Sequence, residues 1–387
     1  MSNDKWDFEL DSGLDTEEQT RLPEEIEPPE TTPEMGWITP EVITVAIVST
    51  VLVIASGLVQ LTFGAYPLTV REAWQAVLDP AVIWNLDTLR AFVFQSTNPD
   101  VATGTLVVWD IRLPRVIAAV IVGANLAVSG AVFQSVTRNE MASPFILGIN
   151  SGASLAIMLT LVVFTAFTPF LPLLAAAGGT VAFLIVYAIA WKGGTSPVRL
   201  VLAGVIVGTL MGSIQTALFF FAPDIDVILT ALAWTTGSLT GAGWREIRLV
   251  FLLSVLSVGL TVIGARQLNV LMLGEETAGA LGMSVERVRF ALSGVAILSA
   301  SSAIVVAGLV GFVGLIVPHM ARNVVGSDYK QLIIACVFMG PALMTVSDMF
   351  ARLIISPGQL PVGVLTGLIG GPYFLYLMRR RQKLGEL

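Results

Sequence analysis

Residues 268–289 read LNVLMLGEETAGALGMSVERVR, a polar helix-turn-helix pattern lodged between two strongly apolar segments. Glu275 and Glu276 follow Gly274, and two carboxylates suit the positive end of a helix. Gly282 can stop that helix, and Ser284 can cap the next one as it runs toward Arg289. A segment crossing lipid has no use for these groups, so the stretch reads as a handle held out in water for a partner. An ordinary amphipathic loop between spans fits the local pattern as well, and the rest of the chain decides between the two.

Composition sets the class. Of 387 residues, 55% are apolar and only 13% charged, and the mean hydropathy is +0.82. An all-α polytopic membrane protein follows. Windows of about 20 residues, enough to cross the hydrocarbon core, fall at 42–63, 112–136, 144–166, 169–191, 198–222, 244–265, 290–309, 311–325, 331–351 and 361–378. Ten spans are expected, the eighth being short. Gly204, Gly208 and Gly212 form a small-residue stripe of the kind that packs helices.

The domain plan is a tail followed by a transmembrane domain over 42–387. Residues 1–41 hold thirteen acidic residues against Lys5 and Arg21, which predicts a disordered acidic tail on the cytosolic side. The low pI of 4.9 describes this tail and says little about cargo. No cationic leader precedes the first apolar stretch, so that span is expected to direct insertion itself. Residues 64–111 read as an external loop region. The lone Cys336 lies within a span, which excludes an internal disulfide.

Cation counting gives the orientation. With both termini in the cytosol, the inner side receives fourteen of the 21 Lys and Arg residues, as the positive-inside rule requires. The expected place is a cell membrane, crossed many times. Arg112, Arg115 and Arg352 then stand against the bias on the external face; on charge alone, snorkelling at helix ends accounts for them.

An energy source is missing. Ion-coupled carriers place ionisable groups inside their spans, whereas Asp348 is the one carboxylate well inside a span here and His319 the one histidine. Asp348 precedes Arg352 by one helical turn, so an i, i+4 pair is expected. No lysine follows a glycine, so there is no Gly-Lys-Ser/Thr phosphate loop for ATP. His319 has no second ligand at metal spacing, no catalytic set is present, and no nucleic-acid partner is indicated. An energy-less channel with a cytosolic handle calls for a separate motor.

From Arg112 to the C-terminus the chain resembles the iron-chelate and vitamin B12 family of ABC importer permeases. The resemblance rests on five ordered motifs: RLPRVIAAVIVGANLAVSGAVFQSVTRN (112–139), ASPFILGINSGAS (142–154), the 268–289 handle, GFVGLIVPHMAR (311–322) and LPVGVLTGLIGGPYFLYLMRR (360–380). It implies a type II ABC importer permease fold and a homodimer with the cargo path on its two-fold axis. It also implies two ATPase subunits on the cytosolic face and an external substrate-binding protein. ATP and Mg would then be bound by the partner ATPase, with no cofactor in this chain.

The resemblance also implies site residues. ATPase coupling maps to Gly274, Glu275, Glu276, Ala280, Leu281 and Gly282, and binding-protein docking to Arg112, Arg115 and Arg352. The cytosolic gate maps to Asn139 and Met141 after the second span, and to Thr195 and Ser196 in the GGTSP loop. Plain turn chemistry explains both gate loops too. Many members read Arg-Asn-Pro-Leu-Ala-Asp-Pro where this chain has Arg138-Asn139-Glu140-Met141-Ala142-Ser143-Pro144. The expected function is the membrane permease of an importer for a corrinoid, ferric siderophore or haem; the rival is an ion-coupled transporter working without an ATPase.

Overall fold

The computed structural model describes residues 36–64, 66–94, 100–191, 195–356 and 358–383. Most of the acidic tail, Lys192 and both glycines of GGTSP therefore lie outside the described residues. The spans begin where their caps say they should. Thr39 and Ser196 each accept a bond from the backbone three residues on, and each is followed by proline, whose missing N–H costs nothing in a first turn.

In chain order, α1 (Pro40–Thr62) is a span. The short helices α2 (Val70–Val77), α3 (Pro80–Ile83), α4 (Leu86–Phe94) and α5 (Thr103–Leu106) follow. A π-helical stretch, Val107–Arg112, joins α5 to α6 (Leu113–Val136). Then come α7 (Ile149–Val162), α8 (Leu171–Ala190), α9 (Pro197–Phe219), α10 (Ile225–Thr236) and α11 (Trp244–Ile263). The handle comprises α12 (Ala265–Met272) and α13 (Glu275–Ala280), and it leads into α14 (Val285–Ala307). The chain closes with α15 (Val313–Val325), α16 (Tyr329–Leu353) and α17 (Val362–Lys383).

Each of the ten expected windows coincides with a helix, and among the described residues seven helices are long and apolar enough to cross a membrane. The others are shorter. At 14 residues α7 is roughly 21 Å long against a ~30 Å hydrocarbon core. The apolar helix α10 was not anticipated. Where such short helices stop, the freed backbone groups bond one another, as lipid demands. Ser238 N–H donates to Ala307 O at 2.8 Å, Leu309 N–H to Trp234 O at 3.0 Å, and Gly363 N–H to Gly237 O at 3.2 Å. The region read as a loop between α1 and α6 is largely helical, opened by a Thr69–Glu72 capping box. That box holds the Glu72 carboxyl below its usual range, through its bonds from Thr69.

At the centre stands α6, packed against α16, α14, α15 and α11. Glycine makes this possible. A Cβ on Gly123 would strike the Gly340 carbonyl, one on Gly340 the Gly123 carbonyl, and one on Gly130 the Gly314 carbonyl. These crossings bring helix backbones into direct contact, the main source of attraction between helices that lipid already solvates. The anticipated stripe on α9 behaves unevenly: Gly204 is packed against the Ile146 carbonyl, whereas Gly212 has open space around it.

The spans alternate between two ends, the handle end and the far end. At the far end Asp348, wholly buried in α16, pairs with Arg115 of α6 rather than with Arg352. Arg115 Nε donates to Oδ2 at 2.9 Å, Nη2 to Oδ1 at 2.7 Å, and Nη1 to Gln359 Oε1 at 2.6 Å. The expected i, i+4 pair is thus corrected: a bidentate fork from the neighbouring helix meets the carboxylate, and Arg352 turns to Phe63 O at 3.0 Å.

Two predictions follow from this packing. Gly340→Val should abolish folded, membrane-inserted protein, whereas Gly259→Val, whose Cβ meets nothing within 4 Å, should leave its yield intact in size-exclusion chromatography of detergent extracts. Asp348→Asn should destabilise the chain by about 3–5 kcal/mol by leaving Arg115 buried and unpaired. The double change Arg115→Met with Asp348→Leu should recover most of that loss in thermal unfolding.

Candidate functional site

The handle is built as its sequence implies. Gly274 adopts φ +106°, open to glycine but not to larger residues, and turns the chain into α13 with Glu275 and Glu276 in the first turn. Gly282 follows the last turn at φ +83°, and Met283 N–H donates back to Ala278 O at 3.0 Å, closing a Schellman turn. One detail differs: Ser284 stands at the start of α14 but makes no side-chain cap bond. The second helix of the pattern is the first turns of a full span.

The two glutamates do different things. Glu276 is exposed. The Glu275 carboxylate faces the bundle, where Oε1 accepts from Arg289 Nη2 at 2.8 Å and pairs with Arg138 Nη2 at 3.4 Å. Arg289 is the hub, only 1% exposed. It also donates to Glu286 Oε1 at 3.0 Å and to both the carbonyl and the hydroxyl of Thr195. Glu286 in turn accepts from Thr195 N–H at 2.9 Å and from its hydroxyl at 2.8 Å. One buried guanidinium thereby ties α13, α14 and the loop before α9 into a single unit.

The tip of the handle, by contrast, is bare. Ala280 and Gly282 are exposed and Leu281 is 65% exposed. Behind the tip lies a cleft of about 770 Å³, lined by Arg138, Ser196, Gly274, Glu275 and Glu276 among others. The handle thus presents a small-residue tip with one large apolar side chain, on a helix tied by ion pairs to α14 and to Arg138 after α6.

The gate residues divide. Asn139 and Met141 are exposed in the turn after α6, where Asn139 Oδ1 accepts Met141 N–H at 2.8 Å. Thr195 is buried in the Arg289 network, and Ser196 caps α9. The departing Glu140 pairs with Arg322 of α15 at 3.6 Å, and Arg322 reaches Gln134 Oε1 at 3.3 Å. His319 packs beside the Tyr373 and Phe374 rings, and no group of three potential ligands occurs among the described residues.

At the far end Arg112 and Arg352 close round the end of α1, while Arg115 is held by Asp348 and Gln359. Arg112 donates to the carbonyls of Leu61, Thr62 and Tyr66, and Arg352 to that of Phe63. Leu61, Thr62 and the cap residue Phe63 present carbonyls that a helix end leaves without partners, at its negative pole, and Tyr66 lies just beyond it. Arg112 is 3% and Arg115 6% exposed, so the guanidiniums expected to meet a docking protein are engaged inside the fold. Their place at this end of the bundle has a structural cause. Sequence reading missed this, as it missed the hub role of Arg289, because Arg112's carbonyl acceptors lie 46 or more residues away and Thr195 lies 94 from Arg289.

Comparison with known proteins agrees with this architecture. The model of the FecCD transport family matches residues 51–380. The iron(3+)-hydroxamate import system permease of Bacillus subtilis is 37% identical over 303 residues, spanning 76% of this chain and 89% of that protein. The cobalamin import system permease of Halobacterium salinarum is 37% identical over 359 residues, spanning 86% and 95%. The hemin transport system permease of Yersinia pestis is 36% identical over 282 residues, spanning 71% and 84%. A solved structure described as an inward-facing metal-chelate type ABC transporter superposes with a TM-score of 0.74 at 25% identity, covering 87% of this chain and 99% of that one. With its apolar helices, its glycine crossings and its polar handle all in place, this chain belongs to the FecCD transport family.

Proposed function

We propose that this chain is the translocating permease of an ATP-driven importer for a metal chelate, whether siderophore, haem or corrinoid. Two copies form the path, and a separate ATPase docks on each handle. An external binding protein delivers cargo to the far end. The carrying observation is the handle: its Leu281 tip stands exposed on a polar segment, and its Glu275 end is wired through Arg289 to the loop preceding α9. The relatives named above support the cargo class by their own names.

In mechanism, closure of the ATPases on nucleotide displaces α13. The displacement passes through the Glu275–Arg289–Thr195 link to α9 and α14, and the spans rock so that the path opens to one end at a time. Asn139 and Met141, in the exposed turn after α6, close the inner side. Affinity for cargo resides in the binding protein, and the arginines at the end of α1 hold the surface on which it lands. Buried as they are, Arg112 and Arg115 shape that surface rather than pairing across it.

The decisive experiment is reconstitution in liposomes. Uptake should require the ATPase, the binding protein and ATP together; uptake by this chain alone, driven by a proton or sodium gradient, would replace the reading with the ion-coupled one. Two substitutions test the handle in that system. Leu281→Asp should cut ATPase co-purification at least tenfold. Glu275→Gln should retain the ATPase and its hydrolysis while lowering uptake per ATP, because the tip remains and the tie to Arg289 weakens.

A further inference from the structure

At the handle end the last turn of α8 and the first turns of α14 enclose a cleft of about 460 Å³ that the transport reading leaves unused. Its walls are Leu184, Tyr187, Trp191 and Phe290, with Glu286 and Arg287 at the rim. The rings form a continuous wall: Tyr187 lies 6.2 Å from Trp191 and 5.2 Å, edge-on, from Phe290. Trp191 and Phe290 are about half exposed, at 52% and 51%. The cleft lies where α8 ends and the apolar run of α14 begins, the level at which Trp and Tyr gather at a membrane surface.

The two rim charges are unequal. Glu286 is turned inward, both oxygens occupied by Thr195 and one also by Arg289. Arg287 is exposed and has no ion pair among the described residues. Among the described residues the rim therefore offers Arg287 as an unspent cation beside an apolar slot, with its neighbouring carboxylate already neutralised. That combination suits an acyl chain below and a phosphate above. A neutral or zwitterionic lipid fills the slot but gains nothing from Arg287, and a soluble anion meets Arg287 but gains nothing from the rings.

We propose that this cleft is a binding site for an anionic phospholipid, with an acyl chain against Tyr187, Trp191 and Phe290 and the headgroup phosphate on Arg287. The lipid then rests on the first turns of α14, one residue from the Glu286 that holds Thr195. The proposal depends on the membrane placement of the chain and not on ATPase coupling.

The test uses the full-length protein in nanodiscs, with phosphatidylglycerol or phosphatidylcholine brominated in the chains as the quenching probe. Trp191 emission is taken as the difference between wild type and Trp191→Phe. Quenching should show about fivefold preference for the anionic lipid, the value of one arginine at such a surface. Arg287→Gln should erase that preference while both lipids still quench, and Arg287→Lys should retain it. Excess inorganic phosphate should leave it unchanged. Equal quenching by the two lipids in wild type, a preference that survives Arg287→Gln, or its removal by inorganic phosphate would each overturn the proposal.

Discussion

Close contact between helix backbones is the constraint on which the rest of this protein depends. Lipid solvates leucine as well as another helix does, so burial of apolar side chains gives these spans little reason to associate. Gly123 against Gly340 and Gly130 against Gly314 supply the contact instead, and they place α6 in the middle of the bundle. Once α6 is fixed, both of its ends become organising points. Its start and the π-helical stretch before it bring Arg115 and Arg112 to the far end, and its last turn leads into Arg138 beside the handle.

The buried arginines among the described residues sit at those ends, and at each a buried arginine joins segments distant in sequence. Arg115 and Asp348 lock α6 to α16, while Arg112 and Arg352 cap α1. Arg289 locks the handle to the loop before α9. Buried ion pairs of this kind contribute little net stability over well-packed apolar residues, yet breaking one is costly. The handle tip is left exposed, with Leu281 at 65%.

Much of the architecture was legible beforehand. The apolar windows matched helices, and Gly274 and Gly282 bounded the handle helix as their positive φ angles require. The roles of individual charges were not legible. Asp348 and Arg352 sit one turn apart, which local spacing reads as a pair, yet a bidentate arginine from another helix won the carboxylate. Glu275 and Glu276 are adjacent and alike in sequence; only the position of Arg289 makes one an anchor and leaves the other free. The short apolar helix α10 escaped notice because twelve residues fall below the length that marks a span.

The sequence by itself determined the class: a charge-poor chain must satisfy its backbone within helices, and its apolar windows dictate where those helices run. Its motifs were enough to name the family. Tertiary structure alone decided which cations are engaged and with what, because an arginine's partner is chosen by whichever carbonyl or carboxylate the fold brings within about 3 Å. Separations of 233 residues for Arg115 and Asp348, or 94 for Arg289 and Thr195, leave no trace in local pattern.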